Sequence, residues 1–199
     1  MSFHHIVGVA AGVLALAEFV FYILAMYGRD YRLHRIRVLT TPNRATWLIW
    51  AALGIITAVS YWSSGATDTV WFAGAYALGF FVVALLSIKR GEGGFEAADL
   101  FCLIGAAVSA WLWWKYNSPE TALYATLAID AFGIIPTLKK SWKRPEGENR
   151  LAWTMTTAAS ALNLLALNWS TATFAIGLYP VYMLVANGLV VAFLYRKHT

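Results

Sequence analysis

Followed along the chain, hydrophobic and polar positions separate into long, continuously apolar runs joined by short polar connectors. Seven runs of about 18–23 residues each match what is needed to cross roughly 30 Å of hydrocarbon as a helix. They cover residues 7–26, 45–63, 69–88, 97–114, 121–138, 151–169 and 173–195. The runs do not alternate with period two, and a helix satisfies its own backbone hydrogen bonds, so helices are expected in place of a β-barrel. The expected fold class is an all-α membrane protein with seven transmembrane helices. Composition agrees: 60% of the 199 residues are hydrophobic and 13% charged, more apolar surface than one soluble core could hide. Ala15-Leu16-Ala17 resembles a cleavage box, but His4 and His5 precede the first run with no Lys or Arg, so the run is expected to be retained.

The charges set an orientation. Arg29, Arg32, Arg35, Arg37, Arg44, Lys89, Arg90, Lys139, Lys140, Lys143, Arg144, Arg150, Arg196 and Lys197 fall on one side of seven spans, fourteen residues against Lys115 alone on the other. By the positive-inside rule the N-terminus is expected outside and the C-terminus in the cytoplasm, in a bacterial inner (plasma) membrane. The net charge of +5 therefore speaks to lipid headgroups, and no nucleic-acid partner is expected.

The chain also repeats itself. Asn43-Arg44-Ala45-Thr46-Trp47 and Asn149-Arg150-Leu151-Ala152-Trp153 share the pattern NRxxW and each opens a run. Trp62-Ser63 then matches Trp169-Ser170, and Val82-Val83-Ala84 matches Val190-Val191-Ala192, at offsets of 106, 107 and 108, each copy ending in a basic terminus. Upstream, the run holding Glu18 corresponds to the run holding Asp130. Two three-helix units result, residues 1–90 and 118–199, with a linker helix in 91–117. Because the linker adds a span, both units face the same way: a parallel repeat about an axis along the membrane normal.

This 3+1+3 layout with an external N-terminus resembles the SWEET and PQ-loop transporter superfamily, to which PnuC-type vitamin transporters are similar. Pro136-Thr137-Leu138-Lys139-Lys140-Ser141-Trp142 looks like the start of that superfamily's loop, with Thr137 where a PQ dipeptide has glutamine and Leu24 at the first-unit position of Pro136. The resemblance implies alternating access and a solute held between the units by an asparagine on a third helix, here Asn187, whose first-unit counterpart is Gly79.

The residues read by themselves add further candidates. Glu18 and Asp130 lie inside apolar helices, where a carboxylate costs about 2.5–3.5 kcal/mol even on the lenient insertion scale and often carries function. Proton or substrate coupling stands beside structural hydrogen bonding for both, and Asp130, six residues before Pro136, is expected to carry the larger share. Asn163 and Asn187 offer uncharged polar groups at depth, for a solute or for an interhelical hydrogen bond worth about 0.6 kcal/mol. Trp50, Tyr76 and Tyr182 could line a cavity and stack on a solute, whereas Trp47, Trp62, Trp71, Trp153, Trp169 and the Trp111, Trp113, Trp114 group are expected in the interfacial belt. Pro136 lacks an N–H and is expected to break or hinge the fifth run. Asn149 is a plausible N-cap, and Gly74 with Gly79 should let backbones approach.

The lone Cys102 allows no intrachain disulfide. His4, His5, His34 and His198 are dispersed, so no metal is expected. With no P-loop, no GxSxG and no lysine in the last run, neither an enzyme nor a cofactor-bearing protein is expected. The function expected is transport of a small polar solute (sugar, vitamin, nucleoside or amino acid), with proton coupling as an option. A non-transporting scaffold or receptor is the alternative. The partners are the lipid bilayer and the solute; a homo-oligomer is compatible, although both units in one chain could enclose a path in a monomer.

Overall fold

In a computed structural model the chain is all-helical among the described residues, which are 1–28, 42, 44–91, 97–143, 145 and 148–196. Eight helices follow in order: α1 Phe3–Met26, α2 Arg44–Ser63, α3 Val70–Arg90, α4 Ala97–Tyr116, α5 Pro119–Gly133, α6 Ile135–Lys143, α7 Arg150–Leu165 and α8 Phe174–Tyr195. Four of them, within α1, α2, α3 and α8, are long and apolar enough to cross a membrane. Arg29, Arg32, His34, Arg35, Arg37, Asn43, Glu96, Arg144, Glu146, Gly147, Lys197 and His198 lie outside the described residues.

Local chemistry sets the helix ends. Ser2, Ser118 and Thr173 each accept a backbone N–H with a side-chain oxygen at the start of α1, α5 and α8. Asn149 is the N-cap of α7, its Oδ1 accepting from the Leu151 and Ala152 amides at 3.0 and 3.2 Å. The NRxxW repeat thus opens α7 as expected. The fifth apolar run divides: α5 ends at Gly133 and α6 begins at Ile135 with Pro136 as its second residue. Without an N–H, Pro136 cannot donate to the preceding turn, and the ladder is interrupted between the Ile134→Asp130 and Leu138→Ile134 backbone bonds, 2.8 and 2.9 Å. That interruption leaves α5 only 15 residues long.

The helices pack in a closed order. α3 stands between α1 and α2, and α8 stands between α7 and α5; α1 lies on α7, and α2 on α5. The ring α1–α3–α2–α5–α8–α7 closes on itself, with α4 outside it against α5 and α2, and α6 against α8. α1 shows the logic of a membrane helix. Small residues Gly8, Ala11, Gly12 and Ala15 face inward, while Ile6, Val13 and Val20 remain exposed. Small residues let backbones approach, and large apolar ones suit lipid.

Two sequence expectations change here. Trp47 is not an interfacial residue; it is 7% exposed, within an aromatic core formed with Phe19, Tyr22, Trp50 and Phe80. Trp62, Trp71, Trp111, Trp114 and Trp169 are exposed near helix ends, as a belt requires. Gly74 and Gly79 do not act as a pair. A Cβ on Gly74 would meet open space, whereas one on Gly79 would collide with the Phe19 ring. Close backbone approach instead belongs to Gly8 and Gly12, whose Cβ positions run into the Asp68 and Trp71 carbonyls.

Gly74→Ala should therefore leave stability unchanged or slightly raised, since alanine favours a helix by about 1 kcal/mol over glycine. Gly12→Ala and Gly79→Ala should each cost about 1–3 kcal/mol through overpacking. Thermal unfolding of the purified variants checks this, and equal effects at positions 74 and 79 would contradict the assigned packing.

Candidate functional site

The middle of the ring holds a small polar-centred cavity in an aromatic wall. The two central turns of α2 supply Trp50, Leu53, Gly54 and Thr57 at the i, i+3, i+4, i+7 spacing of one helix face. α3 supplies Ala73, Tyr76 and Phe80, α5 supplies Leu127 and Asp130, and α8 supplies Tyr179 and Met183. The cavity measures about 50 Å³, well above the roughly 10–15 Å³ that a single water requires. Phe80 stacks on Trp50 at 5.6 Å and meets Tyr76 edge-on at 5.1 Å, so the wall is a continuous aromatic surface.

Asp130 is the charged group of this wall. Tyr182, one turn beyond Tyr179 on α8, donates its hydroxyl to Asp130 Oδ2 at 2.6 Å. Tyr182 therefore reaches the site through the carboxylate. Among the described residues no Lys, Arg or His pairs with Asp130 or Glu18; the ion pair found is His5–Asp68, 3.3 Å, at the N-terminal end of α1.

Glu18 occupies a different place. Its neighbours are Tyr76 on α3 and Thr156 on α7, and its Oε2 is shielded without a good hydrogen bond, as is the Tyr76 hydroxyl. Tyr76 lines the cavity with Asp130 and neighbours Glu18. Of the two carboxyls, Asp130 is on the cavity wall and Glu18 is not.

The asparagines also separate from the cavity. Asn187 Nδ2 donates to Ser160 Oγ at 3.0 Å, and Ser160 in turn donates to the Thr156 carbonyl at 2.8 Å, tying α8 to α7. Asn163 is fully buried with both amide atoms unpartnered. Neither lines the cavity. Pro136 lies six residues past Asp130, just beyond the α5–α6 break, so the break is less than two turns from the carboxylate.

Sequence reading passed over Tyr179, Phe80 and Met183 in the wall, although Tyr179, Tyr182 and Met183 carry an i, i+3, i+4 spacing that marks one face of α8. It also passed over Pro180, which stands inside α8. A proline at 180 leaves the Ile176 carbonyl without its helical donor. Tyr61 of α2 fills that role, donating to Ile176 O at 2.9 Å, and its oxygen lies 2.6 Å from Thr69 Oγ1. Because the single phenolic hydrogen goes to the carbonyl, Thr69 is the donor in the second bond.

Compared with known proteins, the chain matches no family model, no curated protein and no solved structure.

Tyr61→Phe should cost about 1–3 kcal/mol, the penalty for a buried acceptor left unpaired. Pro180→Ala restores an N–H to the Ile176 carbonyl, so the same Tyr61→Phe change should cost clearly less in that background. A double-mutant cycle by chemical unfolding reads the coupling; strict additivity would break the assigned link.

Proposed function

We propose that the chain is a membrane transporter that moves a small polar solute by alternating access. Residues 1–90 and 118–199 act as two parallel three-helix units, and the helix in 91–117 links them, giving seven spans with the N-terminus outside a bacterial inner membrane. One relation carries this reading. Exchanging the units takes α1 to α5 and α6, α2 to α7, and α3 to α8. That exchange turns the α1–α7 contact into the α5–α2 contact and keeps the third helix of each unit between the other two. Two like units around a shared central pocket are what rocking between two access states requires.

Smaller contacts follow the same exchange. Arg90, at the end of α3, lies 3.8 Å from the Tyr27 ring centroid, and Arg196, just past α8, lies 3.6 Å from that of Trp142. The motif arginines behave alike: Arg44 Nε donates to the Ser87 carbonyl near the end of α3 at 3.2 Å, and Arg150 sits 5.4 Å from the Tyr195 ring at the end of α8. Cations at helix C-termini oppose the negative end of the dipole, so the third helix of each unit ends among arginines, held by a carbonyl bond in one and a ring contact in the other.

The solute site is the aromatic cavity with Asp130. Glu18, set back behind Tyr76, is assigned the coupling proton, and the α5–α6 break at Pro136 is the point where the fifth run bends between states. The cavity is small and partly open. A non-transporting scaffold with the same fold is the rival reading.

Transport in proteoliposomes separates the two. Glu18→Gln should abolish pH-driven accumulation while sparing exchange of labelled solute, because the amide keeps the shape and loses the titration. Undiminished accumulation in that variant would remove Glu18 from coupling, and absence of flux in the parent protein would favour the scaffold. For orientation, a cysteine replacing exposed Thr67 should label from outside intact cells and one replacing exposed Lys89 should not; fully buried Ser141 is unsuited to this test.

A further inference from the structure

We infer that the cavity selects a small organic cation, an amine or quaternary ammonium, with Asp130 as its counter-ion. The inference rests on the transport reading of this same site and names the solute class within it. The wall combines one carboxylate with the rings of Trp50, Tyr76, Phe80 and Tyr179. Among the described residues no basic side chain approaches that carboxylate, and its bonded partner is the neutral Tyr182 hydroxyl on Oδ2. A carboxylate inside a helical bundle requires a positive partner or a proton, and the described residues place no cation beside this one. Aromatic faces attract ammonium groups, and more strongly once water is excluded.

Other solute classes fit the same wall poorly. An anion would face Asp130 with no Lys or Arg among the described lining residues to receive it. A sugar or nucleoside needs a ring of donors and acceptors, whereas this lining is mainly carbon: Leu53, Gly54, Ala73, Leu127 and Met183 fill the space between the rings, and Thr57 is the one aliphatic hydroxyl. The titratable groups facing Asp130 from the packed helices are Tyr179 and Tyr182 on α8 and Tyr76 on α3, while the α2 face contributes none. A cationic head against Asp130 with its alkyl groups on the rings matches this lining in chemistry, and the space of about 50 Å³ must widen to admit it.

The probes are choline with its neutral carbon isostere, and butylammonium with butanol. Binding to the purified full chain is measured by thermal stabilisation and calorimetry. At least one of the two cations should bind saturably, and its neutral counterpart about tenfold or more weakly. Asp130→Asn, whose amide oxygen can still accept from Tyr182, should erase that preference, and Phe80→Leu should weaken the cation without changing charge. If Asp130→Asn fails to fold, the contrast between cation and isostere in the parent protein still decides. Equal binding within both pairs, or no binding of either cation, would overturn the inference. Should a cation bind selectively but fail to cross proteoliposomes, the cation site stands and the transport reading falls. Should a neutral solute be transported without competition from either cation, transport stands and the cation assignment falls.

Discussion

Asp130 stands among closely packed helices against a mainly apolar wall, so much of what stabilises its carboxyl group must come from the helices around it. Tyr182 meets one oxygen from α8, and α2 and α3 close the remaining space with aromatic rings. Those rings belong to a larger aromatic core: Phe19 of α1 packs edge-on against Tyr76 and Phe80 at 5.6 Å each, and Trp47 packs on Phe19 and Trp50. Gly79 leaves room for Phe19, so a glycine on α3 determines how close α1 can bring this cluster to the cavity. Asp130, the ring order and the aromatic wall are therefore parts of one arrangement.

In the two-unit reading proposed above, the units meet at contacts of unequal kind. α1 lies along α7 with Glu18 beside Thr156, whereas α2 and α5 both contribute to the wall of the cavity. Tyr61 crosses between units by bonding the carbonyl that Pro180 frees, and Ser160 with Asn187 holds α7 to α8 within one unit. Prolines at 136 and 180 thus disturb the helical ladder just after α5, which brings Asp130 to the cavity, and within α8, which brings Tyr179. One disturbance splits a helix, and the other is repaired by a side chain from a neighbour. A rigid unit that turns against a second one needs both kinds of feature: firm internal ties and a few places where the backbone can give.

Much of the helix layout was legible because apolar runs bounded by charges are a strong signal, and the structure keeps six of the seven runs as single helices. Asp130, Trp50 and Tyr76 were legible as cavity residues because a polar or amphipathic group stands out inside a span. The partners were not. Tyr182 and Asp130 are 52 residues apart, and nothing local says that their helices touch. Trp47 was misplaced for a related reason: depth along a helix can be counted from its ends, but which face turns inward depends on neighbours. Gly74 failed as a packing glycine for the same cause. Asn187 was read as a solute ligand, through a resemblance, or as an interhelical hydrogen-bonding residue, and its geometry here is that of a helix-to-helix hydrogen bond. Pro180 did carry a visible signal, a proline within an apolar run, and the missing information was which donor would reach the freed carbonyl.

The central claim is that two three-helix units rock about the Asp130 cavity, and paired spin labels measure it most directly. In a background lacking Cys102, one pair of labels joins the loops at Thr67 and Ser170, and a second joins Lys89 and Lys143 at the opposite, basic end of the bundle. The account predicts two distances for each pair by pulsed electron resonance, with the first pair's longer distance populated when the second pair's shorter one is. It predicts further that pH shifts both populations together and that Glu18→Gln removes this response. A single distance for each pair, unmoved by pH, would contradict it.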